Sequence, residues 1–443
     1  MKLFGTDGLR GTAGAFPLDP ASLRLLGREL GGRLRRETDR CVVLGGDTRE
    51  STTGMIGELA AGLSEAGCRP EHAGTVPTPA VAELVLALDA AGGISVSASH
   101  NPYEDNGVKI FGPDGRKLPD SEEEALEATL LAARADGQDA PREPAVSPPV
   151  DPRLAERYLE LLAPHVSPSI KGLSLVLDAG HGAAFRVGPE ALRRAGAQVH
   201  VIYAEPDGRN INRDCGAMHP AGMAAETQER RAVFGVALDG DADRSIFSDE
   251  NGRILDGDDV LWILARDWKR RGRLPAGGVV GTVMSNYGLE AALAREGIPF
   301  HRAAVGDRNV ARKMEDTGAV LGGETSGHIL QPYSPSGDGI LTTLLLASVV
   351  AENGGSLSAL ATLEKAPQAL RNVRAARRVP LDGDSPIGAA VSRAAARLSS
   401  RGRVFLRYSG TEPLLRILVE GTEAVEVRAI ADDLEKTARE AMA

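Results

Sequence analysis

The stretch Val233–Ser245, VFGVALDGDADRS, decides the fold. Its first half is a short apolar run, the length of a strand buried on both faces. Its second half is a turn of aspartates and glycine, which ends the strand and holds charge at its tip. The same order recurs at Cys41–Ser51 (CVVLGGDTRES), Leu173–Ala184 (LSLVLDAGHGAA) and Gly318–His328 (GAVLGGETSGH). Helical patterns follow these turns. Alternation of strand and helix predicts an α/β fold with mixed, mostly parallel sheets. Ligands collect at the carboxyl ends of such strands, and all four polar turns fall there.

The chain has 443 residues, enough for two to four domains of about 100–200 residues each. Two stretches read as linkers, Ala135–Pro152 and Glu364–Pro386, and a third break falls near Asn251–Asp258. The expected units are 1–150, 151–250, 251–366 and 367–443. The last is short and mixes helix, strand and loop, so α+β is expected there. A net charge of −10 argues against nucleic acid or an anionic membrane as partner. It leaves room for a local basic pocket that takes an anionic small molecule. The opening MKLFGTDGLRG lacks the apolar core of a signal peptide. The longest apolar run, Ile340–Ala351, is too short to span a bilayer. Cys41, Cys68 and Cys215 are odd in number and far apart, so they read as free thiols of a cytoplasmic protein.

Asp239, Asp241 and Asp243 alternate along the central turn, so in an extended loop their carboxylates can converge. Converging carboxylates repel unless a cation neutralises them, and oxygen ligands select Mg²⁺ or Ca²⁺. A Ca²⁺-binding helix–loop–helix is the rival, with Glu250 as its last ligand. It needs glycine where this chain has Arg244, and a helix where VFGVAL reads as strand. Mg²⁺ is the better fit.

A second stretch, Ile94–Val108 (ISVSASHNPYEDNGV), alternates apolar residues with Ser95, Ser97 and Ser99 until Pro102 stops the ladder. Ser99 stands at the expected strand end before His100 and Asn101, as a turn residue or as a nucleophile. RYSGTEPLLRI (Arg407–Ile417) sets Arg407, Ser409, Gly410, Thr411 and Arg416 together, a phosphate cradle or an ordinary surface turn. In GGETSGH, Glu324 and Ser326 can bracket sugar hydroxyls and His328 can pass a proton, although short Gly/Ser loops are common. Arg10 between glycines and Lys109 in an apolar run read equally as a turn residue and a snorkelling edge residue. Neither the G-x-S-x-G elbow nor the P-loop pattern occurs. A cation site, several basic groups and a serine at a strand end suit phosphoryl transfer with phosphoserine as donor.

FGTDGLRG, SASHNP, DGDADR, GETSGH and RYSGTEP, in this order, resemble the α-D-phosphohexomutases over Phe4 to about Gly421. Within that family the chain is most similar to the bacterial branch acting on glucosamine phosphates, through PDGRNINRDCGAMHP, GTVMSNYGLE and VGDRNV. The resemblance implies three similar α/β domains and a smaller α+β domain around a central cleft. It implies that Ser99 is the phosphoserine, with one Mg²⁺ held by Asp239, Asp241, Asp243 and an oxygen of the Ser99 phosphate. Arg10, His100, Lys109, Arg244 and His328 would surround the transferring phosphate. Glu324 and Ser326 would hold the sugar, and Arg407, Ser409, Gly410, Thr411 and Arg416 the other phosphate. A hexosamine 1,6-bisphosphate is implied as intermediate and activator, a sugar phosphate as substrate, and a homodimer as assembly. Lys109 would serve as acid or base if its neighbours lower its pKa. Three positions depart from the branch: Thr325 stands where it usually has Gln, Tyr408 where it has Lys, and His181 where it has Asn. A phosphomannomutase/phosphoglucomutase is the alternative. A non-catalytic sugar-phosphate or Ca²⁺-binding protein would need damage to one of these motifs, and all are intact.

Overall fold

The sheet that carries Ser99 has order β1-β2-β6-β5-β3-β4, built from β1 (Phe4–Gly5), β2 (Gly8–Thr12), β3 (Cys41–Gly46), β4 (Arg69–Thr75), β5 (Gly92–Val96) and β6 (Asp105–Phe111). This is a computed structural model; it describes residues 2–5, 7–34, 41–135, 143–375, 377–383, 385–409 and 413–442. Strand β3 pairs in parallel with both β4 and β5, while β6, β2 and β1 add an antiparallel edge. Four helices belong to it: α1 (Pro20–Arg33), α2 (Thr52–Glu65), α3 (Thr78–Ala87) and α4 (Asp120–Ala135). Leu23, Leu26, Leu30, Ile56, Leu59 and Leu63 of α1 and α2 pack on Val42, Leu44, Ile94 and Val96 in one core. Strand β5 stops at Val96, before Ser99, because the chain turns into a left-handed conformation at Ser99.

After α5 (Pro152–Leu162), the second sheet joins β7 (Ser174–Asp178), β8 (Gln198–Ile202), β9 (Phe234–Leu238), β10 (Ser245–Asp249) and β11 (Ile254–Leu255), in order β11-β10-β9-β7-β8. Helices α6 (Val187–Arg194) and α7 (Ala221–Glu229) connect its strands. The third sheet has order β13-β12-β14-β15, from β12 (Val279–Thr282), β13 (Phe300–Ala303), β14 (Leu321–Gly323) and β15 (Ile329–Leu330). Its helices are α8 (Gly257–Arg270), α10 (Asp307–Thr317) and α11 (Gly339–Glu352); α9 (Tyr287–Arg295) lies between β12 and β13 in sequence. In these sheets too, parallel pairs form the centre and an antiparallel hairpin the edge. The turns β9–β10 and β14–β15 are therefore hairpin turns, which present their side chains at one end of a sheet.

Helices α8 and α11 start at caps. Asp256 and Asp259 form a capping box on α8, and Asp338 accepts from Leu341 N at 2.9 Å on α11. Both starts press on functional turns, as described below.

The C-terminal sheet is antiparallel, order β16-β18-β17, from β16 (Gln368–Arg374), β17 (Gly402–Tyr408) and β18 (Leu414–Gly421). Helices α12 (Pro386–Leu398) and α13 (Ala424–Met442) cover it through Ile387, Leu398, Val427, Ile430 and Leu434. This is the α+β arrangement expected of the last segment. The chain forms two compact units. One holds Met1–Thr282 and His301–Thr362; the other holds Val283–Phe300 and Leu363–Ala443. In the second unit the buried Glu420 takes Asn286 Nδ2 at 3.3 Å and Arg403, which joins α9 to the sheet. Among the described residues, no helix is long and apolar enough to cross a membrane.

Candidate active site

Ser99 lies just past β5, fully buried, with φ of 53°. A non-glycine residue in that region is strained and is held only by its surroundings. Those surroundings are specific. Ser99 N donates to Ser97 Oγ at 2.9 Å, and its carbonyl accepts from Arg49 Nη2 at 3.2 Å and Asn212 Nδ2 at 2.9 Å. Arg49 is itself clamped by Asp47, with both side chains wholly buried. Gly240 is glycine for the same reason: a Cβ there would collide with the Ser99 carbonyl oxygen.

The hydroxyl of Ser99 donates to Asp239 Oδ2 at 2.6 Å and lies 3.2 Å from His100 Nδ1. Asp239, Asp241 and Asp243 are buried in the β9–β10 turn, and one oxygen of each falls within 4.8 Å of the others. Two like charges at that spacing repel by about 3–4 kcal/mol at an effective dielectric of 20, more than one hydrogen bond returns. Three answers to this repulsion are visible. Burial, with Asp243 and Asp241 beside it, pushes Asp239 up to about 8. Lys109 Nζ donates to Asp241 Oδ2 at 2.8 Å and Asp243 Oδ2 at 2.9 Å. Arg244 Nε stands 3.8 Å from Asp243 Oδ1. Asp241 Oδ1 and Asp243 Oδ1 remain buried with no hydrogen-bond partner. Hard carboxylate oxygens, crowded and partly orphaned, fit a divalent cation with oxygen preference.

The turn is held from both sides. Thr78 at the start of α3 donates through Oγ1 to Asp241 Oδ2 at 2.6 Å and through N to its carbonyl at 3.0 Å. Gly339 at the start of α11 donates to the Ala242 carbonyl at 2.9 Å.

Lys109 departs from the expected acid or base. Burial works against its charge, but Asp241, Asp243 and Asp7 outweigh it and raise its pKa. It is a fixed ammonium, suited to neutralising charge. His100 is the opposite case: burial, then Arg244 and Arg10, pull it down to about 4, so it is a neutral imidazole at neutral pH.

Arg10 reaches Asn101 Oδ1 at 3.2 Å and pairs with Asp7. Asp7 Oδ2 is also 3.0 Å from Lys109 Nζ. The β14–β15 turn enters through Ser245 N, which donates to the Gly327 carbonyl at 3.1 Å. Gly257 lets α8 start directly beneath it, since a Cβ there would collide with the Glu324 carbonyl oxygen. His328 Nδ1 comes within 3.6 Å of Asp243 Oδ1. Glu324 and Ser326 are half-buried on the same turn; burial raises the Glu324 pKa despite His328 and Arg244.

One compact unit therefore gathers Ser99, His100, Arg10, Lys109, Arg244, His328, Glu324, Ser326 and the three aspartates. The other unit holds Arg407 and Arg416 directly opposite each other on β17 and β18, with Ser409 buried beyond them. Like charges opposite each other in a ladder destabilise it unless an anion bridges them. Gly410 and Thr411 lie outside the described residues.

Residues 1–136, 156–252, 256–366 and 357–437 match, in turn, the α/β/α domains I, II and III and the C-terminal domain of phosphoglucomutase/phosphomannomutase. A phosphoglucosamine mutase of Thermus thermophilus is 45% identical over 448 residues, covering 100% of this chain and 99% of that protein. That of Mesorhizobium japonicum is 44% identical over 442 residues, covering 97% and 96%. This chain is an α-D-phosphohexomutase. A solved phosphoglucomutase/phosphomannomutase family protein of Burkholderia thailandensis superposes with a TM-score of 0.81 at 25% identity, covering 99% of this chain and 97% of that one. The Aspergillus fumigatus N-acetylphosphoglucosamine mutase, solved with GlcNAc-6P and magnesium, shares the fold with a TM-score of 0.64 at 18% identity, over 100% and 96% of the two chains.

Sequence reading missed several residues of this phosphohexomutase site. Asp7 lies in the same glycine-rich motif as Arg10, and Asp307 in VGDRNV, so both had a signal. Arg49 and Asn212 lie in the quoted CVVLGGDTRES and PDGRNINRDCGAMHP, while Thr78 and Lys117 had no signal, since their importance comes from what faces them. Two departures have structural accounts. The Tyr408 hydroxyl donates to the Val379 carbonyl and accepts from Val379 N, both at 2.8 Å. His181 has φ of 49°, a conformation that suits Asn as well as His. The Thr325 side chain has no such account.

Proposed function

We propose that this phosphohexomutase interconverts glucosamine 6-phosphate and glucosamine 1-phosphate, for UDP-N-acetylglucosamine synthesis. The observation that carries the reading is the buried Ser99 hydroxyl, 2.6 Å from Asp239 within the carboxylate triad. Phosphorylated Ser99 gives its phosphoryl group to O1 of the 6-phosphate: the Oγ–P bond breaks, an O1–P bond forms and the O1 proton ends on the freed serine oxygen. The resulting 1,6-bisphosphate turns over, and its 6-phosphate returns to Ser99 as the P–O6 bond breaks and O6 takes a proton. The same bisphosphate charges an unphosphorylated enzyme.

Each residue has a role in this scheme. The neutral His100, 3.2 Å from Oγ, takes the serine proton as the phosphoryl group arrives. Arg10, Arg244 and Lys109 balance the charge of the phosphoryl group in transfer. Glu324 and Ser326 hold sugar hydroxyls, His328 protonates a departing sugar oxygen, and Arg407, Ser409, Gly410, Thr411 and Arg416 anchor the second phosphate. Asp239, Asp241 and Asp243, with a phosphate oxygen on Ser99, would hold one Mg²⁺, which when bound neutralises charge on the phosphoryl oxygens. The division 1–150, 151–250, 251–366 and 367–443 gives the Ser99 turn, the aspartate turn, the sugar turn and the phosphate cradle one domain each. Cys41, Cys68 and Cys215, buried and outside any disulfide, suit the reducing cytoplasm, and a homodimer is the assembly we expect.

Intact-mass spectrometry tests the carrier: one phosphate on Ser99, absent from Ser99→Ala, which loses mutase turnover while keeping its fold. Near wild-type activity in Ser99→Ala would end the reading. Thr325, in the sugar turn, favours a second reading as phosphomannomutase/phosphoglucomutase. Comparison of kcat/KM for glucosamine, mannose and glucose 1-phosphates decides, and a preference of more than about tenfold for a hexose reverses the choice, a margin one sugar contact can supply.

A further inference from the structure

Through Asp243 of the triad runs a closed ring of alternating acidic and basic side chains: Asp243, Lys109, Asp7, Lys117, Asp307, His328 and back to Asp243. Lys109 Nζ lies 2.9 Å from Asp243 Oδ2 and 3.0 Å from Asp7 Oδ2. Asp7 Oδ1 pairs with Lys117, whose Nζ is 2.7 Å from Asp307 Oδ2. Asp307 Oδ2 faces His328 Nε2 at 4.0 Å, and His328 Nδ1 faces Asp243 Oδ1 at 3.6 Å. The six come from six separate places: the β1–β2 turn, β6, the turn after β6, the first residue of α10, the β14–β15 turn and the β9–β10 turn. The next residue of α10, Arg308, reaches Asp120 at 2.7 Å and Glu123 at 2.8 Å on α4, so the helix start is anchored independently of Lys117.

We infer that Lys117 and Asp307, which touch neither Ser99 nor the triad, are positioning residues for the phosphoryl-transfer site. This rests on the mutase reading above. Asp7 holds both Arg10 and Lys109, so where Asp7 sits decides where two of the cations sit. Lys117 has a side chain only 8% exposed and is the group that fixes Asp7 from behind. Asp307 fixes Lys117 and faces the side of His328 that has no hydrogen-bond partner. A ring of this kind resists displacement at every member, because a shift brings two like charges closer. It also sets local charge: without Lys117, Asp7 and Asp307 add uncompensated negative charge near the triad.

That last consequence separates positioning from bulk structural support. Lys117→Met keeps the stem and removes the charge; Asp307→Asn keeps the shape and removes one carboxylate. In Lys117→Met, kcat should fall about tenfold or more with KM within about threefold, as for loss of a supporting partner around a metal site. The same variant, freed of divalent ions and titrated with Mn²⁺ alone by electron paramagnetic resonance, should bind Mn²⁺ about threefold tighter or more. Asp307→Asn should lower kcat too but weaken Mn²⁺ binding, and the double variant should return Mn²⁺ affinity toward wild type. A damaged fold cannot lower turnover while tightening the ion. Wild-type kcat in both single variants, or Mn²⁺ affinity that neither changes, overturns the inference. Should Lys117→Met not fold, Asp307→Asn decides by the same two readings. A wild-type protein inactive on hexose and hexosamine phosphates would instead overturn the mutase reading, and the Mn²⁺ titration would still judge the ring.

Discussion

Two turns of the second sheet start from nearly the same sequence and end with different work. Strand β7 ends LVLD at Asp178, and the neighbouring β9 ends at Leu238, directly before Asp239. Three residues after each aspartate the chain adopts a left-handed conformation, at His181 (φ 49°) and at Ala242 (φ 57°). The turns touch: Ala183 N donates to the Gly240 carbonyl at 2.8 Å. Both aspartates are buried and both have raised pKa values, to about 7 for Asp178 and about 8 for Asp239. Yet Asp178 accepts from Gly180 N and Gly216 N, each at 2.8 Å, and faces backbone. Asp239 faces a serine hydroxyl and two further carboxylates. Burial raises both; only the second is crowded by like charge. A perturbed carboxylate marks chemistry when other reactive groups cause part of the perturbation, and architecture when desolvation alone does.

The largest expected effect comes from Asp239→Asn. Turnover should fall by at least about 100-fold, since a ligand matters more than its supporting shell. Stability in divalent-free buffer should hold or rise, because the substitution removes one of three repelling acids. A coupled mutase assay beside thermal unfolding checks both. A loss of melting temperature large enough to explain the lost turnover would make Asp239 as architectural as Asp178 and dissolve the contrast.

Asp178→Ala should do the reverse. It strands two buried N–H groups at about 1–3 kcal/mol each, so stability should drop by about 2–6 kcal/mol with kcat at 25 °C nearly unchanged. Urea unfolding with parallel kinetics measures it, and a tenfold fall in kcat at unchanged stability would move Asp178 into the site.

This contrast also shows where sequence reading stops. The apolar runs before LDAGHG and LDGDAD announced strands, and the strand–turn–helix order announced the sheets, because burial and alternation are local properties. The triad was legible since three carboxylates two residues apart have few other uses. Ser99 was legible as a strand-end serine and, through SASHNP, as the phosphoserine; its left-handed backbone was not, since it depends on Arg49 and Asn212, which approach from elsewhere in the chain. Thr78 and Lys117 are ordinary residues until folding sets them opposite a charge; Asp7 and Asp307 lie in quoted motifs, but their partners too appear only on folding. What one sequence could not show was each group's charge. Lys109 was expected as acid or base only if its neighbours lowered its pKa; the three acids that raise it instead come from two other segments.

A smaller effect follows from pH. Asp178 has a folded pKa of about 7 against an ordinary value of 3.8, so the folded chain holds this proton more tightly than the unfolded chain. Its contribution to stability is complete below about pH 4 and is lost as pH rises through about 7. The stability of wild type relative to Asp178→Ala should therefore shrink from pH 4.5 to pH 7.5, by urea unfolding at both. A gap that widens with pH would mean that the carboxylate is stabilised as an anion, making the two turns electrostatically alike in a way the hydrogen bonds deny.

The finest test uses His181, where the branch usually has Asn. Its N donates to the Tyr203 carbonyl at 2.6 Å, its carbonyl accepts from Thr48 Oγ1 at 2.6 Å, and its Nδ1 accepts from Glu205 N at 3.2 Å. The first two bonds are made by the backbone and survive any substitution that tolerates the conformation. The third and the edge contact with the Tyr203 ring, at 5.6 Å, belong to the side chain. Asn is at ease with positive φ and offers an acceptor of its own, so His181→Asn should change stability by no more than about 0.5 kcal/mol. His181→Val cannot relax there and should cost about 1–2 kcal/mol. Turnover should follow neither change, since this turn holds a sheet end together and touches no reacting group. If His181→Asn alone cut kcat tenfold, the β7 turn would be part of the catalytic apparatus, and the division of labour between the two turns would have to be redrawn.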